Sequence, residues 1–215
     1  FSLEMGANQL VQRAAVTETE IDGESVKKGI LNDPEFVRFM HACGDLGKLP
    51  FYIDDTAFMS IIELRARAMR MKSKYGIKLL VIDYLQLIKG LSDSGKTTNN
   101  RDQEIGIITR TLKGMAKELD IPIVALSQLN RSVETRGGSK RPLLSDLRES
   151  GSIEQDSDIV IFLYRPEYYK IAQDENGNPT HGKCEVIVEK HRGGSVGTVI
   201  LKFIGKFTKF SEGDA

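Results

Sequence analysis

The 215-residue sequence predicts an α/β fold: a mixed, mainly parallel sheet flanked by helices, with antiparallel strands at its C-terminal edge. Three observations carry that expectation. Residues 78–88 (Lys-Leu-Leu-Val-Ile-Asp-Tyr-Leu-Gln-Leu-Ile) open on an apolar run without alternation, the mark of a strand covered on both faces. Residues 121–128 (Ile-Pro-Ile-Val-Ala-Leu-Ser-Gln) repeat that design and again end in polar groups. Residues 159–164 (Ile-Val-Ile-Phe-Leu-Tyr) are a third such run.

In chain order, Phe1 to Glu4 reads as the end of a strand. A folded domain seldom opens there, so a fragment of a longer protein is expected. Leu10, Val11 and Ala14 recur at helical spacing over 8–16. A short helix over 25–31 is expected to close at Asn32-Asp33-Pro34, and another over 35–43 at Gly44. Residues 51–53 read as a short strand before a capping cluster, Asp54-Asp55-Thr56. The helix over 59–75 puts Ile62, Ala66, Ala68 and Met69 on one side and stops at Gly76. Its Arg65, Arg67, Arg70, Lys72 and Lys74 read as a solvated face.

A polar, Gly-rich loop over 89–100 leads into a helix over 102–119, where Ile105, Ile108, Leu112, Met115 and Leu119 recur every three or four residues. Then follow a basic loop over 129–142, a short helix near 144–148 and a turn-rich insert over 165–179. Two alternating strands, 184–189 and 197–203, form a hairpin around Lys190-His191-Arg192-Gly193-Gly194. There is no internal repeat, and 1–215 reads as a single domain.

Thirty Lys and Arg balance thirty Asp and Glu, so nucleic-acid binding by bulk charge is excluded and only local patches can supply it. Cys43 and Cys184 lack metal-ligand or redox spacing, and two lone thiols suit a reducing cytosol. His41, His181 and His191 are scattered, which argues against zinc. No run reaches the roughly 18–20 apolar residues of a membrane span, and no signal peptide is recognisable. A cytoplasmic protein is expected.

Asp83 stands where the first apolar run ends. Ligands of open α/β sheets bind beyond the carboxyl ends of strands, so this carboxylate can hold a hydrated Mg²⁺ beside nucleotide phosphates. Equally, it can cap the following turn. Residues 90–97 spell G-x-x-x-x-G-K-T, the phosphate cradle of P-loop proteins. The context argues against that role. A cradle needs its helix to start at the Lys-Thr pair, with free N–H groups facing the phosphate; here Thr98-Asn99-Asn100-Arg101-Asp102 is polar loop.

Several segments then agree on one family. Residues 1–5, 81–87 (Val-Ile-Asp-Tyr-Leu-Gln-Leu), 125–131 (Ala-Leu-Ser-Gln-Leu-Asn-Arg), 140–142 (Lys-Arg-Pro), 145–156 (Ser-Asp-Leu-Arg-Glu-Ser-Gly-Ser-Ile-Glu-Gln-Asp) and 190–198 resemble the motor domain of replicative DNA helicases of the DnaB type. The likeness spans nearly the whole chain in order, and the block at 145–151 is its most specific part. It implies a RecA-like domain that works with ATP and Mg²⁺ on single-stranded DNA as a homo-hexameric ring, with primase and a helicase loader as partners. In that family a P-loop strand, P-loop and helix precede the segment matching Phe1 to Met5. None is found in the 215 residues, so the resemblance implies an N-terminally truncated domain, inactive alone. The alternative is an inactive module for DNA binding or assembly. Residues 90–97 fall where relatives carry a variable loop facing the DNA channel.

By the same resemblance, Glu4 matches the carboxylate that orients or deprotonates the attacking water, Asp83 the Mg²⁺-side carboxylate, and Gln128 the γ-phosphate sensor. Arg13 corresponds to a nucleotide-site arginine in some relatives. Lys190 and Arg192 match a pair that reaches into a neighbouring subunit's nucleotide site; two apart on an extended segment, they are expected on one side. Arg148, Glu149 and Gly151 match positions on the DNA backbone. Arg131, Arg136, Lys140 and Arg141 make the adjacent loop the most basic stretch. With few aromatics nearby, backbone tracking without base stacking is expected.

Overall fold

The computed structural model describes residues 1–90, 101–137, 139–174 and 176–213, with the side chains of 148–150 outside that description. The chain divides into two compact units: Phe1–Ala7, Tyr52–Val133 and Leu143–Asp158 in the first; Asn8–Phe51, Glu134–Pro142 and Ile159–Ala215 in the second.

In the first unit, β1 (Leu80–Ile82) and β2 (Ile123–Ala125) pair in parallel, with Ile82 opposite Ala125. The opening residues extend the ladder on the other side of β1. Ser2 bridges to Asp83 in parallel; the Leu3 N–H donates to the Asp83 carbonyl at 2.7 Å, and the Asp83 N–H to the Phe1 carbonyl at 2.9 Å. Helices α4 (Ile61–Tyr75) and α5 (Arg101–Leu119) supply the core, in which Leu64, Ala68 and Ile108 meet Ile82 and Met59 with no exposed surface. On α5 the five expected apolar positions are all buried.

Helix α4 begins because Ser60 accepts the Glu63 N–H, and ends at Gly76, whose φ of +63° is left-handed and open to a residue without Cβ. Its buried face is Ile61, Leu64 and Ala68, while Ile62 and Met69 are 61% and 41% exposed, against the expected stripe. The adjacent Ile61 and Ile62 offer two faces of the same period, and only packing selects one. Arg67 does not project freely: it pairs with Asp54 at 3.0 Å and Glu63 at 2.6 Å. Burial raises the Asp54 carboxyl, but hydrogen bonds from Thr56 and Arg67 outweigh it and hold the group below its usual value. Asp54 accepts the Thr56 N–H at 3.1 Å, Asp55 accepts the N–H of Ala7, the first residue of the helix Ala7–Thr19, at 2.8 Å, and 51–53 is irregular chain where a strand was expected.

The runs at β1 and β2 were expected to be covered on both faces, yet Val81 and Val124 are 41% and 50% exposed. β1 buries Leu80 and Ile82, and in β2 Ile123 and Ala125 are partly buried against the same core, so one face is the better covered among the described residues. Replacing Leu64 by alanine should destabilise the fold by about 2–5 kcal/mol, since a fully buried side chain leaves a cavity. Denaturant unfolding measures this, and a loss below about 1 kcal/mol contradicts the packing.

A 3₁₀ segment, Leu144–Ser150, runs directly into α7 (Gly151–Asp156), a helix missed in the sequence. It lies against α5: Thr109 Oγ1 donates to Asp156 at 2.5 Å, and a Cβ on Gly106 would sit 2.8 Å from Ser152 Oγ. The short helix α6 (Ser132–Thr135) also went unread within the basic loop.

The second unit contains α1 (Ala7–Thr19, all but its first residue), α2 (Gly23–Lys28), α3 (Asp33–Leu46) and an antiparallel sheet. Its strands lie in the order β3 (Ile159–Tyr164), β4 (Lys183–His191), β5 (Gly197–Ile204), β6 (Lys209–Glu212). An Asn32–Glu35 capping box starts α3. The helix runs through Gly44 to Leu46, because a mid-helix glycine costs only about 1 kcal/mol and Ala42, Cys43 and Leu46 pack against the Phe39 cluster. Among the described residues, antiparallel pairing makes up the larger share of the strand pairing.

Candidate functional site

Three predicted residues come together at the carboxyl ends of neighbouring parallel chain segments. Glu4 follows the Phe1–Leu3 stretch, Asp83 ends β1, and Gln128 lies three residues beyond β2. The Leu3 N–H to Asp83 carbonyl bond and the Leu126 N–H to Ile82 carbonyl bond (2.9 Å) fix this neighbourhood. Glu4 and Gln128 are exposed and Asp83 is half-buried, so the tips face solvent above an apolar ladder. This is where ligands of open α/β sheets bind. Among the described residues no three His, Cys, Asp or Glu side chains cluster as a metal cage. One carboxylate is nevertheless a fitting donor set for Mg²⁺, which keeps several waters and is bound through one or two carboxylates plus substrate phosphates.

Beside the β2 tip is a cleft of about 350 Å³ lined by Gln86, Arg101, Ile105, Asp146, Leu147 and residues 127–131. Gln86, which sequence reasoning passed over, forms its brace. Its Nε2 donates to Ser127 Oγ at 2.9 Å and to the Gln128 carbonyl at 3.2 Å, while its Oε1 accepts the Gln128 N–H at 3.2 Å. Arg101 donates to the Gln86 carbonyl at 2.6 Å and pairs with Glu104. Glu104, which is 9% exposed, also accepts the Gly90 N–H at 2.8 Å. An amide inside the apolar run 84–88 was the available signal. Gly90 thus already has a carboxylate partner; the rest of the 90–97 motif lies outside the described residues.

The expected DNA-contact residues are differently disposed. Arg131 is exposed on the cleft rim. Arg136 donates to the Arg141 carbonyl at 2.6 Å, and Lys140 to the carbonyls of Glu134 (2.8 Å) and Arg136. Arg141 pairs with Glu185 and donates to Thr198 Oγ1 at 2.9 Å. Three of these four cations are therefore engaged within their own unit, which charge counting cannot reveal. Arg148 and Glu149 lie in the 3₁₀ segment, and Gly151 is exposed at the start of α7. The segment is held by Asp146, whose carboxylate accepts the Leu143 N–H at 2.8 Å.

In the second unit, Arg13 is exposed on α1. Lys190 is the penultimate residue of β4, opposite Val160, whereas Arg192 lies past the strand end in the turn. The same-side argument from strand alternation therefore does not reach Arg192. A Cβ at 194 would meet the exposed His191 ring at 2.6 Å, so that ring would have to turn aside for any larger residue.

A mixed α/β fold with acidic and amide groups on neighbouring strand tips fits the class of RecA-like domains, and the comparisons agree on that fold. Residues 1–212 match the model of the DnaB-like helicase C terminal domain, and the chain belongs to that family. It is 48% identical over 210 residues to the replicative DNA helicase DnaB of Geobacillus stearothermophilus and 47% identical to the replicative DNA helicase DnaC of Bacillus subtilis. Each alignment covers 98% of this chain and 44% of the relative, so the chain spans under half the length of those proteins. A DnaB-like replicative helicase, solved with regard to its interactions with primase, superposes with a TM-score of 0.87 at 38% identity, covering 99% of this chain and 49% of that one. A second solved structure, an ATPase domain, gives 0.88 at 38%, covering 99% and 73%.

Proposed function

We propose that this chain is the single motor domain of an ATP-driven replicative DNA helicase that moves along single-stranded DNA as a homo-hexameric ring, hydrolysing ATP between subunits. The adjacency of Glu4, Asp83 and Gln128 carries the reading. Glu4, exposed at the end of the opening segment, orients or deprotonates the attacking water. Asp83 holds hydrated Mg²⁺, which neutralises phosphate charge when bound. Gln128 reports the presence of the γ-phosphate. A neighbouring subunit supplies Lys190 and Arg192, and Arg13 contributes to nucleotide binding.

Single-stranded DNA is tracked by its backbone through Arg131, Arg148, Glu149 and Gly151, and Arg136, Lys140 and Arg141 of the basic loop are further DNA-contact candidates. Primase is a fitting partner, as for the primase-interacting relative, and a loader is expected as well. The protein works in the cytoplasm; no helix among the described residues is long and apolar enough to cross a membrane.

Strand displacement tests the whole reading. Full-length protein with ATP and Mg²⁺ should separate a forked duplex, and chelating the metal should stop it. An assembled protein that hydrolyses ATP without separating strands overturns the helicase assignment.

A further inference from the structure

We propose that Gln86 is a positioning residue that couples the γ-phosphate sensor to the start of α5. The inference rests on the reading of Gln128 given above and extends it to regulation. One carboxamide makes three hydrogen bonds to the tip of β2, two of them to the main chain of Gln128 in both directions. That pattern fixes the position of the Gln128 backbone and leaves its side chain able to meet a phosphate. Three residues upstream in the same segment stands Asp83. The Gln86 carbonyl is in turn held by Arg101, the first residue of α5.

Arg101 and Gly90 both converge on Glu104, one turn into α5. The approach is close: a Cβ on Gly90 would lie 2.6 Å from Glu104 Cγ. Further along, the same helix carries Gly106 and Thr109, which seat α7 with Gly151 at its head. Any shift of the Gln128 main chain on loss of phosphate therefore pulls on Gln86, and through Arg101 on the helix that seats a DNA-contact segment. A side chain that only filled space would have no reason to bond its neighbour's N–H and C=O together, since methionine has the same reach and no desolvation cost.

The test uses the full-length protein assembled on single-stranded DNA, comparing wild type with Gln86→Met, which keeps volume and removes all three bonds. The ratio of DNA-stimulated to basal ATP turnover should fall about tenfold, beyond any change in melting temperature. Combining Gln86→Met with Gln128→Met should add little to the loss of either. Ser127→Ala, which removes one bond of three, should lower the ratio about two- to threefold and covers the case in which Gln86→Met does not fold. Stimulated and basal turnover that fall in parallel, or a ratio unchanged in both variants, overturn the coupling role. Wild-type protein that shows no DNA stimulation overturns the motor reading instead, so the two failures are distinguishable.

Discussion

Replacing Arg192 by alanine in the full-length protein is expected to abolish DNA-stimulated ATP hydrolysis, a loss on the order of 10³-fold or more, while the ring still assembles. Arg192 is an exposed residue in a glycine turn beyond the end of β4. Cutting it back removes a cation without opening a cavity, so assembly and fold should persist. A cation delivered against a phosphoryl group in transfer stabilises charge that develops only in the transition state, and the loss should therefore fall on turnover more than on ATP affinity. Steady-state hydrolysis and the sedimentation of the assembled ring measure the two halves of the expectation. Wild-type turnover in the variant rules out the cross-subunit role.

Glu4→Gln is the second large effect. Turnover should drop about 10²–10⁴-fold, the range a general base contributes. ATP affinity should hold or improve, because the change removes a negative charge near the phosphates. The Phe1–Leu3 backbone bonds to β1 do not involve the Glu4 carboxylate, so the strand tip keeps its place. Single-turnover hydrolysis alongside equilibrium nucleotide titration separates the two parameters; a variant with more than about half the normal rate shows that another group handles the water. Mixing Glu4→Gln with Arg192→Ala subunits should restore about a quarter of normal turnover. In a randomly assembled ring about a quarter of the interfaces join an intact Glu4 to an intact Arg192. Recovery arises only if the two residues come from different subunits.

The candidate site was legible where chemistry depends on a residue's place in its own strand. Asp83 and Gln128 each follow an apolar run, and parallel pairing of those runs brought their tips side by side. The basic loop was less legible. Lys140, Arg136 and Arg141 read as a patch for DNA, yet each bonds a carbonyl or carboxylate of the same unit. Formal charge says nothing of which acceptor a long flexible side chain finds first. Gln86 was passed over for the complementary reason: an amide within an apolar segment marks a polar contact, but its partners lie 41 and 42 residues away in the chain.

Local pattern, taken by itself, determined the α5 stripe, the two strands that end in polar groups, the hairpin at 190–197 and the likeness to one helicase family. Those features rest on short-range periodicity and residue order, which the chain carries into any environment. Tertiary structure alone decided which of Ile61 and Ile62 turns inward, that Val81 and Val124 stay exposed among the described residues, that α3 continues past Gly44, and that Gln86 binds the segment just beyond β2. Each of these is a choice between local states of similar energy, and long-range burial and pairing select among them.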